Sequence, residues 1–255
     1  MSDAVLFDAR LDGIAVITLN RPDRRNCLDK EIRAGLFEAW DRFEHDPSLR
    51  IAILTGTGRK AFCAGGDLAE MVETRMAEPP RDMFPLPYDT IELSKPTIAA
   101  VNGAAFAGGW MIAQACDLCV ASTTATFAVT EVKVGRSSPW AAPLIHMIPQ
   151  RIMMEILLTG DPVTAQRAYE IGLVNRLAEP DDLLPTALDL AGRVLAGAPL
   201  SVRAARETVM LATDMGRSAA LEASRHAASR AYRSADAQEG PAAFAEKRKP
   251  RWTGQ

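Results

Sequence analysis

Two glycine-rich runs constrain this chain more than any other feature of its sequence. They are Ala61-Phe-Cys-Ala-Gly-Gly-Asp67 and Ala105-Phe-Ala-Gly-Gly109, and each stands between a strand-like segment and the apparent start of a helix. Glycine lets the main chain approach a ligand closely, and the first turn of a helix adds unpaired N–H donors with a partial positive charge. Two such turns that converge would form a pocket for an oxygen that becomes negative during a reaction.

Taken singly, either run favours tight packing of a helix on a strand, with no ligand at all. The surrounding pattern favours an α/β fold, because short apolar segments alternate with helical periodicity in the first two thirds of the chain. The expected strands are 5–9, 14–19, 51–54, 96–101, 118–121 and 126–129, and the expected helices begin near residues 29, 68 and 108. The segment 55–67 is predicted to be a loop that ends at Asp67, which has capping-box spacing with Glu70.

The last part of the chain is predicted to be almost entirely helical. Thr164 has the position of a helix N-cap, and Gly172 follows the end of that helix. Four further helical patterns cover 181–196, 200–214, 217–234 and 236–247.

Composition excludes several classes of function. The 255 residues carry a net charge of −3, so no basic surface for nucleic acid or an anionic membrane is expected. No apolar run reaches the roughly 20 residues of a membrane span, and the acidic N-terminus resembles no signal peptide, which predicts a cytoplasmic protein. Cys116 and Cys119 have CxxC spacing but no second pair, so they are interpreted as buried thiols, and no metal site is predicted.

Several segments, in this order and spacing, resemble one protein family over nearly the whole chain. They are Asn20-Arg-Pro-Asp-Arg-Arg-Asn-Cys-Leu28, 60–67, 95–103 with 107–109, 127–131 with Gly135, and 158–175. The family is the crotonase superfamily of enoyl-CoA hydratases and isomerases. The resemblance implies an α/β fold with a β-β-α spiral core over 1–195 and a helical trimerisation region over 196–255. It also implies homotrimers or dimers of trimers.

The resemblance further assigns a site for an acyl-CoA substrate, with coenzyme A as part of the substrate and no separate cofactor. The main-chain N–H groups of Gly66 and Gly108 would form the oxyanion hole for the thioester oxygen. The backbone at Ala64 would meet the adenine and Arg25 the phosphates, although Arg25 is also compatible with a solvated turn. Phe244 and Lys247 match a segment that covers CoA from a neighbouring subunit.

One departure from the family pattern bears directly on the reaction. The hydratases carry glutamates three and 23 residues beyond the second oxyanion-hole glycine; here these positions are Met111 and Glu131. A single glutamate would remain as the acid/base. An apolar wall formed by Met111 and Trp110 is expected to raise the pKa of Glu131. The alternative is an exposed Glu131 in a salt bridge, for example with Lys133.

The segment after Glu131 also differs from the glycine- and proline-rich loop that is common there. Arg136 and Trp140 are predicted to shape the acyl pocket or to bind a polar end of the acyl group. A structural salt bridge is the alternative role for Arg136.

The leading hypothesis is therefore a lyase or isomerase that acts on enoyl-CoA thioesters through a stabilised enolate. Four alternatives stay open: a dehydratase of the carnitinyl-CoA type, a decarboxylase, a thioester hydrolase, and a CoA-ester binding protein without catalysis. RNA binding is not expected, because the helix over 29–44 mixes acidic and basic residues and has no basic stripe.

Overall fold

The computed structural model describes residues 3–255 as two β-sheets surrounded by helices. In chain order the strands are β1 (Val5–Ala9), β2 (Ile14–Leu19), β3 (Ile51–Gly56), β4 (Ala61–Cys63), β5 (Thr97–Val101), β6 (Ala104–Phe106), β7 (Leu118–Ser122), β8 (Thr126–Ala128), β9 (Val163–Thr164) and β10 (Arg176–Ala178). The helices are α1 (Lys30–His45), α2 (Leu68–Thr74), α3 (Gly108–Gln114), α4 (Gln150–Thr159), α5 (Ala165–Glu170), α6 (Leu183–Leu195), α7 (Pro199–Asp214), α8 (Arg217–Tyr232) and α9 (Asp236–Ala245).

The larger sheet has six strands in the order β1-β2-β3-β5-β7-β10. The β1–β2 pair is the predicted antiparallel hairpin, and every other pair in this sheet is parallel. Strand β3 lies between two parallel neighbours, which is why its first four residues are all apolar and all buried. The α/β class predicted from the sequence is confirmed.

A second, smaller sheet has the order β4-β6-β8-β9, and its first three strands are parallel to one another. Strands β4 and β6 were not predicted. Each has only three residues, and each lies beside a glycine-rich run, so neither shows a periodic pattern. The prediction of an uninterrupted loop over 55–67 is therefore wrong, since β4 occupies its centre.

Local capping determines where the two helices nearest the glycine runs begin. Asp29 caps α1 by accepting a hydrogen bond from the N–H of Ile32, and Asp67 caps α2 as its spacing predicted. The reciprocal half of the predicted capping box is absent, because the carboxylate of Glu70 pairs with Arg33 at 2.7 Å. Arg33 thereby connects the start of α2 to α1.

The larger sheet separates two apolar clusters. One face packs with α1, α3 and the smaller sheet around wholly buried side chains such as Trp40, Phe62 and Trp110. The other face is covered by α6 through Leu183, Ala187 and Ala191. The smaller sheet therefore packs on the face of the larger sheet opposite α6.

The C-terminal helices α7, α8 and α9 form the predicted helical region. Arg206 of α7 joins this region to the core by donating to Asp117 at 2.9 Å, and its guanidinium stacks over Tyr88. The boundary at residues 195 and 196 between core and trimerisation region stays a prediction. Among residues 3–255, no helix has both the length and the apolar character needed to cross a membrane.

Candidate active site

The smaller sheet brings three predicted site residues to one edge. Gly66 follows β4, Gly108 follows β6 and Glu131 follows β8 by three residues. These three strands are neighbours and run parallel, so their carboxyl ends point the same way. In α/β folds such an edge is where ligands bind.

The two glycine turns are in direct contact. A Cβ built on Gly108 would lie 3.5 Å from the nitrogen of Gly66, and a Cβ built on Gly65 would lie 3.2 Å from the nitrogen of Gly108. Within residues 3–255, neither the N–H of Gly66 nor that of Gly108 donates a hydrogen bond. Two neighbouring, unpaired main-chain donors are what an oxyanion hole requires.

Backbone strain is concentrated at the residue before Gly108. Ala107 has φ 49° and ψ −120°, a conformation that residues with a side chain rarely adopt. A hydrogen bond from its N–H to the carbonyl of Ala128 at 2.8 Å holds it on β8. Gly65, at φ +96°, faces it, and a Cβ there would come within 2.9 Å of the Cβ of Ala107. The strained turn sets the orientation of the peptide that carries the N–H of Gly108.

Apolar side chains surround the two neighbouring N–H groups of Gly66 and Gly108. The Cε of Met71 lies 2.6 Å from a Cβ built on Gly66, and the Cδ1 of Leu28 lies 3.0 Å from one built on Gly108. Met111, on α3, is 4% exposed. Neither Leu28 nor Met71 was predicted to line the site. Met71 lies one helical turn after the cap at Asp67, so helical spacing from that cap could have placed it over Gly66.

Glu131 begins a short 3-10 turn, Glu131–Val134, and its two carboxylate oxygens have different surroundings. Oε1 accepts a hydrogen bond from the indole Nε1 of Trp140 at 2.9 Å, whereas Oε2 is buried and has no partner among the described residues. Burial raises the pKa of Glu131, and the hydrogen bond from Trp140 opposes that rise. The alternative pairing with Lys133 is wrong, since Lys133 binds Asp161 at 2.7 Å.

Arg136 and Trp140 each make a hydrogen-bond contact that was not predicted. Arg136 donates to the main-chain oxygens of Met76 at 3.2 Å and Ala77 at 3.3 Å, so it holds the segment that follows α2. Neither contact is the predicted salt bridge. Trp140 donates a hydrogen bond to the candidate acid/base. The roles of both residues at the acyl group stay predictions.

Trp110, which was predicted to line the substrate site beside Met111, has no exposed surface. Its side chain is 0% exposed and packs edge-on against Phe127, with ring centroids 5.6 Å apart. Trp110 points into the core because α3 lies against the smaller sheet. Of the predicted wall, Met111 alone retains some exposed surface.

The two residues predicted to meet the CoA nucleotide lie side by side. The N–H of Ala64 donates to the main-chain oxygen of Arg25 at 3.0 Å. Arg25 has φ 53° and an exposed side chain, while neighbouring Arg24 binds Asp67 at 2.6 Å. The arrangement leaves Arg25 as the cation beside Ala64 that faces solvent.

Phe244 and Lys247 lie at the end of α9 and just beyond it. Both side chains are exposed, and that of Phe244 is 86% exposed, which is unusual for so large an apolar group. Within this chain neither has a described contact with the glycine turns. Their predicted role over the CoA of a neighbouring subunit stays a prediction.

The cysteine pair and the carboxylates near Arg24 have structural roles. Cys116 and Cys119 are buried free thiols, and burial raises the pKa of Cys119 to about 12, as the interpretation as buried thiols requires. Among the described residues one group, Cys27 with Asp29 and Asp67, has the spacing to hold a metal ion. Its carboxylates already accept hydrogen bonds from helix N–H groups and from Arg24.

Comparison with known proteins points to one family. The sequence model of the enoyl-CoA hydratase/isomerase family matches residues 9–255. (E)-Benzylidenesuccinyl-CoA hydratase from Thauera aromatica is 41% identical over 249 residues, covering 94% of this chain and 96% of that protein. Carnitinyl-CoA dehydratase from Salmonella arizonae is 39% identical over 251 residues, covering 94% and 95%.

The fold is likewise similar to solved structures. The crystal structure of an enoyl-CoA hydratase from Mycobacterium tuberculosis H37Rv superposes with a TM-score of 0.91 at 38% identity, over 100% of both chains. An enoyl-CoA hydratase from Mycobacterium marinum also gives 0.91, at 37% identity over 100% of both chains. The predicted crotonase-like fold is confirmed. On these grounds the chain belongs to the enoyl-CoA hydratase/isomerase family.

Proposed function

We propose that this enzyme adds water to, or removes it from, a CoA thioester, with Glu131 as its single acid/base. The observation that carries the proposal is the meeting of Gly66, Gly108 and Glu131 at the carboxyl ends of β4, β6 and β8. The two unpaired N–H groups would hold the thioester oxygen, and Oε2 of Glu131 would be the oxygen that exchanges a proton with substrate.

The dehydration direction shows how one carboxylate suffices. Glu131 takes the proton from C2 of a β-hydroxyacyl-CoA, and the negative charge moves to the thioester oxygen between Gly66 and Gly108. The C3–O bond then breaks, and the departing hydroxyl takes the same proton from Glu131 and leaves as water. A carboxyl whose pKa is raised by burial suits both transfers, because general acid/base catalysis is most efficient when the pKa approaches the working pH.

The similar proteins support a reaction with water. The Thauera aromatica protein is named a hydratase and the Salmonella arizonae protein a dehydratase, and both names specify a CoA thioester. The proposed reaction needs no separate cofactor, since CoA belongs to the substrate. We also propose a homotrimer or dimer of trimers, in which the exposed Phe244 and Lys247 contact CoA bound to a neighbouring subunit.

A second candidate is isomerisation, in which the double bond of a 3-enoyl-CoA moves from C3=C4 to C2=C3. The observation that favours it is Met111, which stands where the family's hydratases carry a glutamate. Among the causes of the pKa shift of Glu131 there is no second carboxylate. With a single base, a proton taken from C2 and returned to C4 gives the isomer without any exchange with water.

A panel of thioesters separates the two reactions. We expect the purified enzyme to hydrate 2-enoyl-CoA esters in H₂¹⁸O, with one ¹⁸O appearing in the β-hydroxyacyl product by mass spectrometry. Isomerisation of 3-enoyl-CoA esters without ¹⁸O would favour the second candidate. Glu131→Gln should abolish turnover and leave binding of the CoA ester within a few fold. Full activity in that variant would remove Glu131 from the mechanism.

A further inference from the structure

We infer that Gln114 and Trp140 form a two-step relay that positions Glu131 for proton transfer. The side-chain amide of Gln114 holds the main chain of Trp140, and the indole of Trp140 holds one oxygen of Glu131. The inference rests on the proposed function, because it concerns the same acid/base. Both are positioning residues: each acts through Glu131 rather than on the substrate.

The contact between Trp140 and Glu131 makes the two carboxylate oxygens of Glu131 different. Oε1 is occupied by the indole N–H at 2.9 Å, and Oε2 has no partner among the described residues. An indole N–H can only donate, so it favours the ionised carboxylate. The contact thus orients the carboxylate and leaves Oε2 as the oxygen that accepts the substrate's proton.

Gln114 supplies the second step of the relay. Gln114 ends α3 and is half-buried, whereas the preceding residues Gly108 to Ala113 are all buried. Its Nε2 donates to the main-chain oxygen of Trp140 at 2.6 Å, while its Oε1 is buried without a partner among the described residues. An unpaired buried acceptor destabilises the folded state. The unpaired Oε1 of Gln114 thus lowers stability, and the hydrogen bond from Nε2 to Trp140 explains why an amide occupies this position.

The segment that carries Trp140 needs such an anchor. It is a 3-10 stretch, Pro139–His146, with prolines at positions 139 and 143 that lack N–H donors. Extended 3-10 runs have poorer hydrogen bonds than α-helices. The bond from Gln114 ties the segment to α3, the helix whose N-terminus carries the N–H of Gly108. Oxyanion hole and acid/base are thereby joined to one helix.

Charged groups around Glu131 are engaged elsewhere. On its own turn, Lys133 binds Asp161, and just beyond that turn Arg136 donates to two main-chain carbonyls. On α4, which packs against this turn, Arg151 and Glu155 are exposed. His146, on the 3-10 stretch, is exposed, and α3 carries no charged residue. The indole of Trp140 is therefore the one side chain described as stabilising the carboxylate.

The first test is the pH dependence of kcat/KM in Trp140→Phe, which removes the N–H and keeps an aromatic ring. A hydrogen bond to a charged group corresponds to about one to two pH units. We expect the apparent pKa of the acidic limb to rise by that amount. Trp252→Phe is the matched control, because it removes an indole bond of 2.8 Å to a carbonyl of the α6 end, and its profile should match the wild type.

Gln114→Met tests the second step, since it keeps the length of the side chain and removes the donor. We expect the apparent pKa of the acidic limb to rise in this variant too, by less than in Trp140→Phe. We also expect a lower kcat and a KM within about threefold of wild type. A lower kcat with an unchanged pH profile in both variants would indicate a merely structural role and would overturn the relay.

A spectroscopic test needs no turnover. In the indole region of a ¹H–¹⁵N spectrum, the Trp140 signal is the one that disappears in Trp140→Phe. We expect it to shift with pH in the wild type and to lose that shift in Glu131→Gln. If the chemical shift of the Trp140 signal does not change with pH, the relay is refuted even if the enzyme is active. Conversely, a signal that titrates in an enzyme that turns over none of the thioesters supports the contact and refutes the proposed function.

Discussion

The space between the two N–H groups limits what the proposed oxyanion hole can hold, and Gly108→Ala changes that space directly. The added Cβ would lie 3.5 Å from the nitrogen of Gly66 and 3.4 Å from the Cα of Gly65. An oxygen bound in an oxyanion hole needs to lie within about 2.7–3.1 Å of both nitrogens. Since non-bonded heavy atoms pack best at about 3.5–4 Å, the methyl group and the oxygen compete for the same space.

The expected size of the effect follows from the loss of one donor. Displacing the oxygen from one N–H costs about 2.7–4 kcal/mol of transition-state stabilisation, or roughly 10²–10³ in kcat. Stability should change little, by about 1 kcal/mol or less. Gly108 has no positive φ, and the closest neighbour of the new Cβ is the flexible end of Leu28, at 3.0 Å.

The assay compares kcat on the best thioester of the panel with the midpoint of chemical unfolding. Gly192→Ala is the matched control: Gly192 lies in α6, and a Cβ there meets nothing within 4 Å. That variant should keep wild-type kcat and should gain about 1 kcal/mol of stability from helix propensity. If folded Gly108→Ala keeps kcat within threefold of wild type, the N–H of Gly108 does not hold the reacting oxygen.

Three further predictions concern stability. Because the folded state raises the pKa of Glu131 above 4.5, the folded protein binds more protons than the unfolded chain between the two pKa values. The contribution of this group to the free energy of unfolding therefore decreases as the pH rises through that window. Urea unfolding measured at a series of pH values should show this decrease in the wild type and not in Glu131→Gln. Lys95→Met should cost about 2–4 kcal/mol in the same assay, since the buried ammonium donates to two carbonyls at the end of α1, both at 2.7 Å. Gly109→Ala should cost about 3 kcal/mol or more, seen as a lower thermal midpoint, because its Cβ would lie 2.0 Å from the carbonyl oxygen of Cys63; an unchanged midpoint would contradict the packing described for α3.

Local signals located most of the elements correctly. Apolar residues at helical spacing after Asp29 placed the start of α1, and the capping-box spacing at Asp67 placed the start of α2, because both signals lie within the first turns of the helix they predict. The four C-terminal helices followed from apolar periodicity over ten or more residues. The partner of Glu70 could not be predicted in this way, because Arg33 is 37 residues away in sequence.

Side-chain direction at the site was the least predictable feature. Trp110 and Met111 are adjacent on α3, yet Trp110 turns into the core against Phe127 while Met111 keeps a small exposed surface. Which of the two faces the cleft depends on how α3 rotates on the smaller sheet. The bond from Trp140 to Glu131 likewise depends on the path of the 3-10 segment between them, which no local pattern specifies.

The sequence alone determined the family, the α/β class and the candidates Gly66, Gly108 and Glu131, because these depend on residue types at particular spacings. The tertiary structure decided how they meet. Strands β4 and β6 are too short for a periodic signal, and the pairing of β6 with β4 on one side and β8 on the other joins segments some 20 to 40 residues apart. Only that parallel pairing brings the carboxyl ends of the three strands to one edge. Strand pairing and its register depend on contacts between residues far apart in sequence, which neither local propensity nor the spacing of residue types specifies.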